Sequence, residues 1–125
     1  MAAEAENLTG KSVGAVSCAE SNQLQLAPLI SQTEAACNFL KALGHDGRLT
    51  ILCHLLSGPK SVTELENLLS SRQAVVSQQL ARLRLEGLVY ARREGQAIFY
   101  SLLDPKVLAM IEVLATLFGD EKSRD

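Results

Sequence analysis

A mainly α-helical chain with one small β-hairpin, in the order α-α-α-α-β-β-α, is the architecture written in this sequence. Apolar residues recur every three or four positions through four stretches before Gly87 and one after Asp104, the spacing that gives a helix one apolar face. Between them, two runs rich in β-formers flank the polar turn Glu94–Gly95–Gln96. With 125 residues, 47% apolar and 21% charged, the chain has the size and composition of one globular domain.

Residues 1–24, rich in Ala, Ser, Asn, Gln and Glu without periodicity, read as a flexible tail before a domain at 25–119. From Leu26, residues Leu29, Ile30, Ala36, Cys37, Leu40 and Leu43 predict one amphipathic helix that Gly44 stops. His45–Asp46–Gly47 reads as a connection. Leu49, Leu52, Cys53 and Leu56 then line a second helix ended by Ser57–Gly58–Pro59. Ser61 and Glu64 have capping-box spacing and open a third helix carrying Val62, Leu65, Leu68 and Leu69 to about Ser70.

Ser71 is the expected cap of a fourth helix from about Arg72 to Glu86, with Ala74, Val75, Leu80, Leu83 and Val76 as the candidates for its inner face. Gly87 stops it, and Leu88–Arg93 with Ala97–Leu102 form the hairpin. Asp104 caps and Pro105 opens a last helix offering Val107, Leu108, Ile111, Leu114, Ala115 and Phe118, and residues 120–125 read as frayed. The first and last helices carry more apolar surface than so small a core hides, which predicts a homodimer through them.

The net charge of −2 conceals a cationic segment, because residues 72–100 hold five arginines and only two acids. Two short helices joined by Ser70–Ser71–Arg72 and followed at once by a hairpin make a helix-turn-helix with a wing, a winged helix-turn-helix. In such an arrangement the second helix enters the major groove and the hairpin reaches flanking DNA. Gln73, Ser77, Gln78 and Arg82 are the expected base readers. Arg72, Gln79, Arg84, Arg92, Arg93 and Gln96 are the expected backbone and wing contacts, since cations there neutralise phosphate without choosing sequence. A solvated helix face explains any single one of these residues; their joint placement favours double-stranded DNA as the partner.

Ser77–Gln78–Gln79–Leu80–Ala81–Arg82–Leu83–Arg84–Leu85–Glu86–Gly87–Leu88–Val89 resembles the ArsR/SmtB family of winged helix-turn-helix repressors. Leu40–Leu52 is similar to the family's entry into its second helix and Arg92–Leu102 to its wing, so the resemblance spans about residues 28–119. It implies a cytoplasmic, dimeric transcriptional repressor of a partly palindromic operator, with no cofactor and an inducer the sequence leaves unknown. Gln79 departs from the His of many members, which bears on operator identity. Within the family the chain is most similar to the subgroup holding persulfide- or redox-sensing repressors of biofilm growth and sulfide metabolism, haemolysin activators and rhizobial nodulation-gene repressors.

The family's arsenic and cadmium sensors carry Cys-x-Cys where this chain has Ser61–Val62–Thr63–Glu64, and its zinc sensors use histidine on the last helix, whereas no histidine follows His54. No metal site is expected. Cys53 matches the first thiol of the sulfur sensors, but Gly119 stands where the second is expected. Cys53, Cys37 and Cys18 are therefore candidate sensing thiols, against a default in which Cys37 and Cys53 are inert core residues. Metal-responsive repression and a pure protein-interaction module are the alternatives. An enzyme is not expected, because no Gly-rich phosphate loop, nucleophile elbow or paired-acid motif occurs. No apolar run approaches the ~20 residues of a membrane span, so no membrane contact is expected.

Overall fold

A computed structural model describes residues 26–119. The expected tail at 1–24, with Cys18, and the expected frayed end at 120–125 lie outside the described residues. Of those described, 26–36 belong to one compact unit and 37–119 to a second.

The first predicted helix is two, α1 (Leu26–Ser31) and α2 (Thr33–Leu43). The Ser31 hydroxyl donates to the Pro28 carbonyl and the Thr33 hydroxyl to the Ile30 carbonyl, each at 2.8 Å. Such local side-chain bonds offer the backbone an alternative to the helical ladder, and the break falls at Gln32 between them.

Helix α3 (Asp46–Leu55) begins earlier than its apolar pattern suggests. His45 is its N-cap, Nδ1 accepting the Gly47 N–H at 3.1 Å, so Asp46 and Gly47 form its first turn instead of a connection. Lys60–Ser61 form a short strand, β1, that two residues without periodicity do not announce. Ser61 then caps α4 (Val62–Leu69): its hydroxyl accepts the Glu64 N–H at 3.1 Å while a Glu64 carboxylate oxygen accepts the Ser61 N–H at 2.8 Å.

Helix α5 (Gln73–Leu85) follows after the expected three-residue turn. Its N-cap is Arg72 rather than Ser71, with no side-chain cap bond, since a guanidinium carries no acceptor, and the Ser71 hydroxyl donates back to the Leu69 carbonyl. At its end Gly87 adopts φ +77° and the Leu88 N–H returns to the Leu83 carbonyl at 3.0 Å, a turn that a Cβ would strain. Strands β2 (Val89–Glu94) and β3 (Ala97–Leu102) pair antiparallel, Glu94 opposite Ala97, across a two-residue loop in which Gly95 has φ +64°. β1 pairs with β3, so the sheet has three strands in the order β1-β3-β2 instead of a hairpin alone. Helix α6 (Pro105–Phe118) starts at its Asp104 cap with Pro105 in the first turn.

In the second unit Ile51, Leu52, Leu55, Leu65, Val76, Leu80, Leu83, Leu88, Val89, Val107 and Ile111 form one core with Ala42 and Leu43. Val76 is the buried valine of α5. Val75 is 44% exposed, and Ala74 is exposed too, both against the expected inward set. Successive helix residues are ~100° apart, so only one of two adjacent valines shares the Leu80–Leu83 face. Leu56 and Leu68 are likewise exposed, and α6 leaves Leu108, Val113, Leu117 and Phe118 open.

Candidate nucleic-acid interface

Helix α5 is held from beneath by Val76, Leu80 and Leu83, and it packs on α3, α4 and β2. That leaves Gln73, Ser77, Gln78 and Arg84 exposed. Gln78 projects nearly opposite the buried stripe, with Ala74 and Ala81, two small residues, on either side of it along the helix. Gln73 and Ser77 sit on one flank. Arg82, nine residues after Gln73, is ~180° from it, so the four expected base readers span a wide arc rather than one narrow face. The Arg82 Nε lies 3.3 Å from the Glu86 carboxylate one turn on.

Gln79 is half-buried on the Arg82 flank, away from Ser77. Its Oε1 faces Arg48 Nη1 at 3.5 Å, and its amide lies over Gly47, where an added Cβ would meet Nε2 at 3.6 Å. Arg48 was not among the sequence candidates, since a single arginine early in a helix carries no pattern. Its Nε donates to the Ala42 carbonyl at 2.6 Å and its Nη2 to the Lys41 carbonyl at 2.9 Å, the open end of α2. Burial first, and then the neighbouring Arg82, lower its pKa, with Glu86 acting the other way.

On the wing, Arg92 pairs with Glu94 at 3.0 Å, while Arg93 points from the opposite face of the strand. Arg93 and Gln96 are exposed, as is Arg72 at the start of α5. Among the described residues Arg72, Arg84 and Arg93 make no ion pair. The surface thus offers a polar helix face with uncompensated cations on the helix and on the wing, a pattern that suits a polyanion bearing hydrogen-bonding edges.

The cysteines depart from the expected core role, Cys37 and Cys53 both being exposed free thiols. Cys53 nevertheless borders an apolar groove of about 380 Å³ with Leu49, Ile111, Leu114, Phe118 and Gly119. Partial burial against these side chains pushes its thiol pKa up. Gly119 and Cys53 therefore share one groove, and a Cβ at Gly119 would come within 2.8 Å of the Ala115 carbonyl. Among the described residues no three His, Cys, Asp or Glu side chains come together as metal ligands, and no helix is long and apolar enough to cross a membrane.

The family model described as bacterial regulatory protein, arsR family, matches residues 45–91, from the α3 cap into β2. The transcriptional activator HlyU of Vibrio cholerae is 42% identical over 95 residues, covering 76% of this chain and 88% of its own. The biofilm growth-associated repressor of Agrobacterium fabrum is 46% identical over 86 residues, covering 69% and 73%. Among solved structures, the transcriptional repressor BigR of Xylella fastidiosa superposes with a TM-score of 0.73 at 36% identity, covering 76% of this chain and 97% of that one. With the helix-turn-helix, the wing and these matches in agreement, the chain belongs to the arsR family of bacterial regulatory proteins, non-catalytic DNA-binding regulators of transcription.

Proposed function

We propose that the chain is a homodimeric, sequence-specific repressor that occludes a partly palindromic promoter operator. Each protomer inserts α5 into one of two successive major grooves about one helical turn apart. Gln73, Ser77 and Gln78 read base edges through their donors and acceptors, while Arg72, Arg84, Arg92, Arg93 and Gln96 hold the backbone. Arg82 joins the base contacts only by leaving Glu86. The observation that carries this reading is the exposed polar face of α5, with Arg72 at its start, Arg84 on the helix and Arg93 on the wing that follows, all three without ion pairs among the described residues. Apolar residues left open on α6 supply the self-pairing surface.

Titrating the protein into duplexes at several salt concentrations tests it. Binding that weakens steeply with salt, with a footprint covering two half-sites, is expected. Absence of duplex binding in dilute buffer leaves the interaction-module reading instead.

Relief of repression by thiol chemistry at Cys53 is a second reading, favoured by its place in the α6 groove. Burial raises its pKa and so disfavours the reactive thiolate, which makes a polysulfide or peroxide in excess the reagent to test it with. Mass spectrometry after such treatment is expected to find an adduct on Cys53 or a bridge to Cys37 or Cys18, and the absence of both products ends this reading.

A further inference from the structure

We propose that Arg48 is a positioning residue that fixes the roll of α5 against the end of α2, and through it the half-site spacing the dimer accepts. This rests on the DNA-binding reading above.

The apolar seat of α5 is Val76, Leu80 and Leu83, and contacts of that kind are non-directional. A helix held only so can roll by small angles at little cost. What resists rolling is a directional contact off the apolar stripe. Gln79 is placed for that, and among the described residues its contact with Arg48 is the sole side-chain hydrogen bond between α5 and an earlier helix.

Arg48 is itself anchored. Two of its nitrogens take the consecutive carbonyls of Lys41 and Ala42, and the third faces Gln79. The planar fork of one guanidinium thereby joins three helices: the end of α2, the start of α3 that bears it, and α5. A lysine ammonium, a single point charge, does not span all three acceptors. Arg82 and Glu86 lie on the same flank of α5, so the junction is a polar seam beside the apolar one. Gln78 follows next to this seam, ~100° around the helix from Gln79, so any roll that Arg48 permits is a displacement of Gln78 in the groove. In a two-fold dimer each protomer carries this bracket, so a roll of α5 occurs in both copies and changes the offset between the two reading helices.

The test uses the full chain and a duplex that the wild-type protein selects from a randomised library, together with the same duplex carrying one extra base pair between half-sites. The readout is the ratio of the two dissociation constants. Arg48→Lys is expected to shrink that ratio about fivefold, since the contact with Gln79 is long at 3.5 Å. Gln79→Met keeps both carbonyl bonds of Arg48 and therefore decides the matter if Arg48→Lys fails to fold. It is expected to shrink the ratio similarly, and the double variant to do no more than either single one. A merely structural role would lower the melting temperature and leave the ratio alone. Ratios within about twofold of wild type in both folded variants overturn the assignment, as do effects of the two that simply add. Wild-type protein that selects no duplex, or shows no spacing preference, overturns the functional reading, and the role of Arg48 with it.

Discussion

Arg82 Nε lies 3.3 Å from a Glu86 carboxylate oxygen, one turn apart on α5, with both side chains partly open to solvent. So exposed a pair contributes only about 0.3–0.5 kcal/mol to folding. Its larger effect is on the field that DNA meets, because Glu86 is one of only two acids in 72–100. Glu86→Gln is expected to leave the denaturation midpoint nearly unchanged while tightening binding to random duplex several-fold and steepening the salt dependence. Fluorescence anisotropy across a salt series checks this, and an unchanged slope means that Glu86 lies outside the field that DNA meets.

Gln78 and Arg93 are expected to fail differently. Gln78→Ala removes the most outward polar group of α5 and should lower discrimination at one base position by about 1–3 kcal/mol. Arg93→Ala should weaken selected and random duplexes alike and reduce the salt slope by about 0.9. If both variants lose affinity equally on selected and random DNA, the division between base readers and backbone contacts is wrong.

Most of this architecture is legible in the residues because local chemistry dictates it. Ser61 and Glu64 close the capping box their spacing announces, and Gly87 and Gly95 occupy the left-handed positions where the chain turns. What the sequence hides are choices made by tertiary neighbours. Val75 and Val76 are chemically identical, and only the packed core decides which one it takes. β1 exists because Tyr100 and Phe99 of β3 lie opposite Lys60 and Ser61, which no local signal reveals. Cys53 sits in an apolar pattern yet ends at the rim of a groove, and Arg48 gains its role from the carbonyls of another helix.

Two leucines of α5 at opposite extremes of burial separate core from surface. Leu80 is fully buried among the core side chains, so Leu80→Ala should cost about 2–5 kcal/mol. Leu85 is 82% exposed, and Leu85→Ala should stay within about 0.5 kcal/mol of wild type. Urea denaturation reads both, and similar losses for the two would place Leu85 in an interface.

Asp104 links stability to pH. Burial raises its carboxyl pKa, but the Lys106 backbone N–H and ammonium outweigh that and hold it below the ordinary 3.8. A carboxyl depressed on folding contributes stability that is fully present above its unfolded value and lost as pH falls through its lower folded value. Asp104→Asn keeps a capping oxygen and removes the charge. Its stability deficit against wild type should therefore be largest near neutral pH and close as the pH falls below about 3.8. A deficit that persists unchanged in acid would assign it to cap geometry instead.

Self-pairing is tested best at the end of α6. Its inner side holds Val107 and Ile111 in the core, whereas Leu117 is 59% and Phe118 71% exposed. Solvated leucine contributes little to the fold of one protomer, so Leu117→Glu should leave the melting transition of dilute, dissociated protein close to wild type. In a two-fold interface the same residue counts twice, and burying a leucine is worth about 1.5–3 kcal/mol, so the dimer dissociation constant should rise about a hundredfold or more. Operator binding should fall with it, because a monomer engages one half-site and forfeits the second. Sedimentation velocity over a concentration series measures the first effect and anisotropy the second. A variant that pairs as tightly as wild type moves the interface off this end of α6.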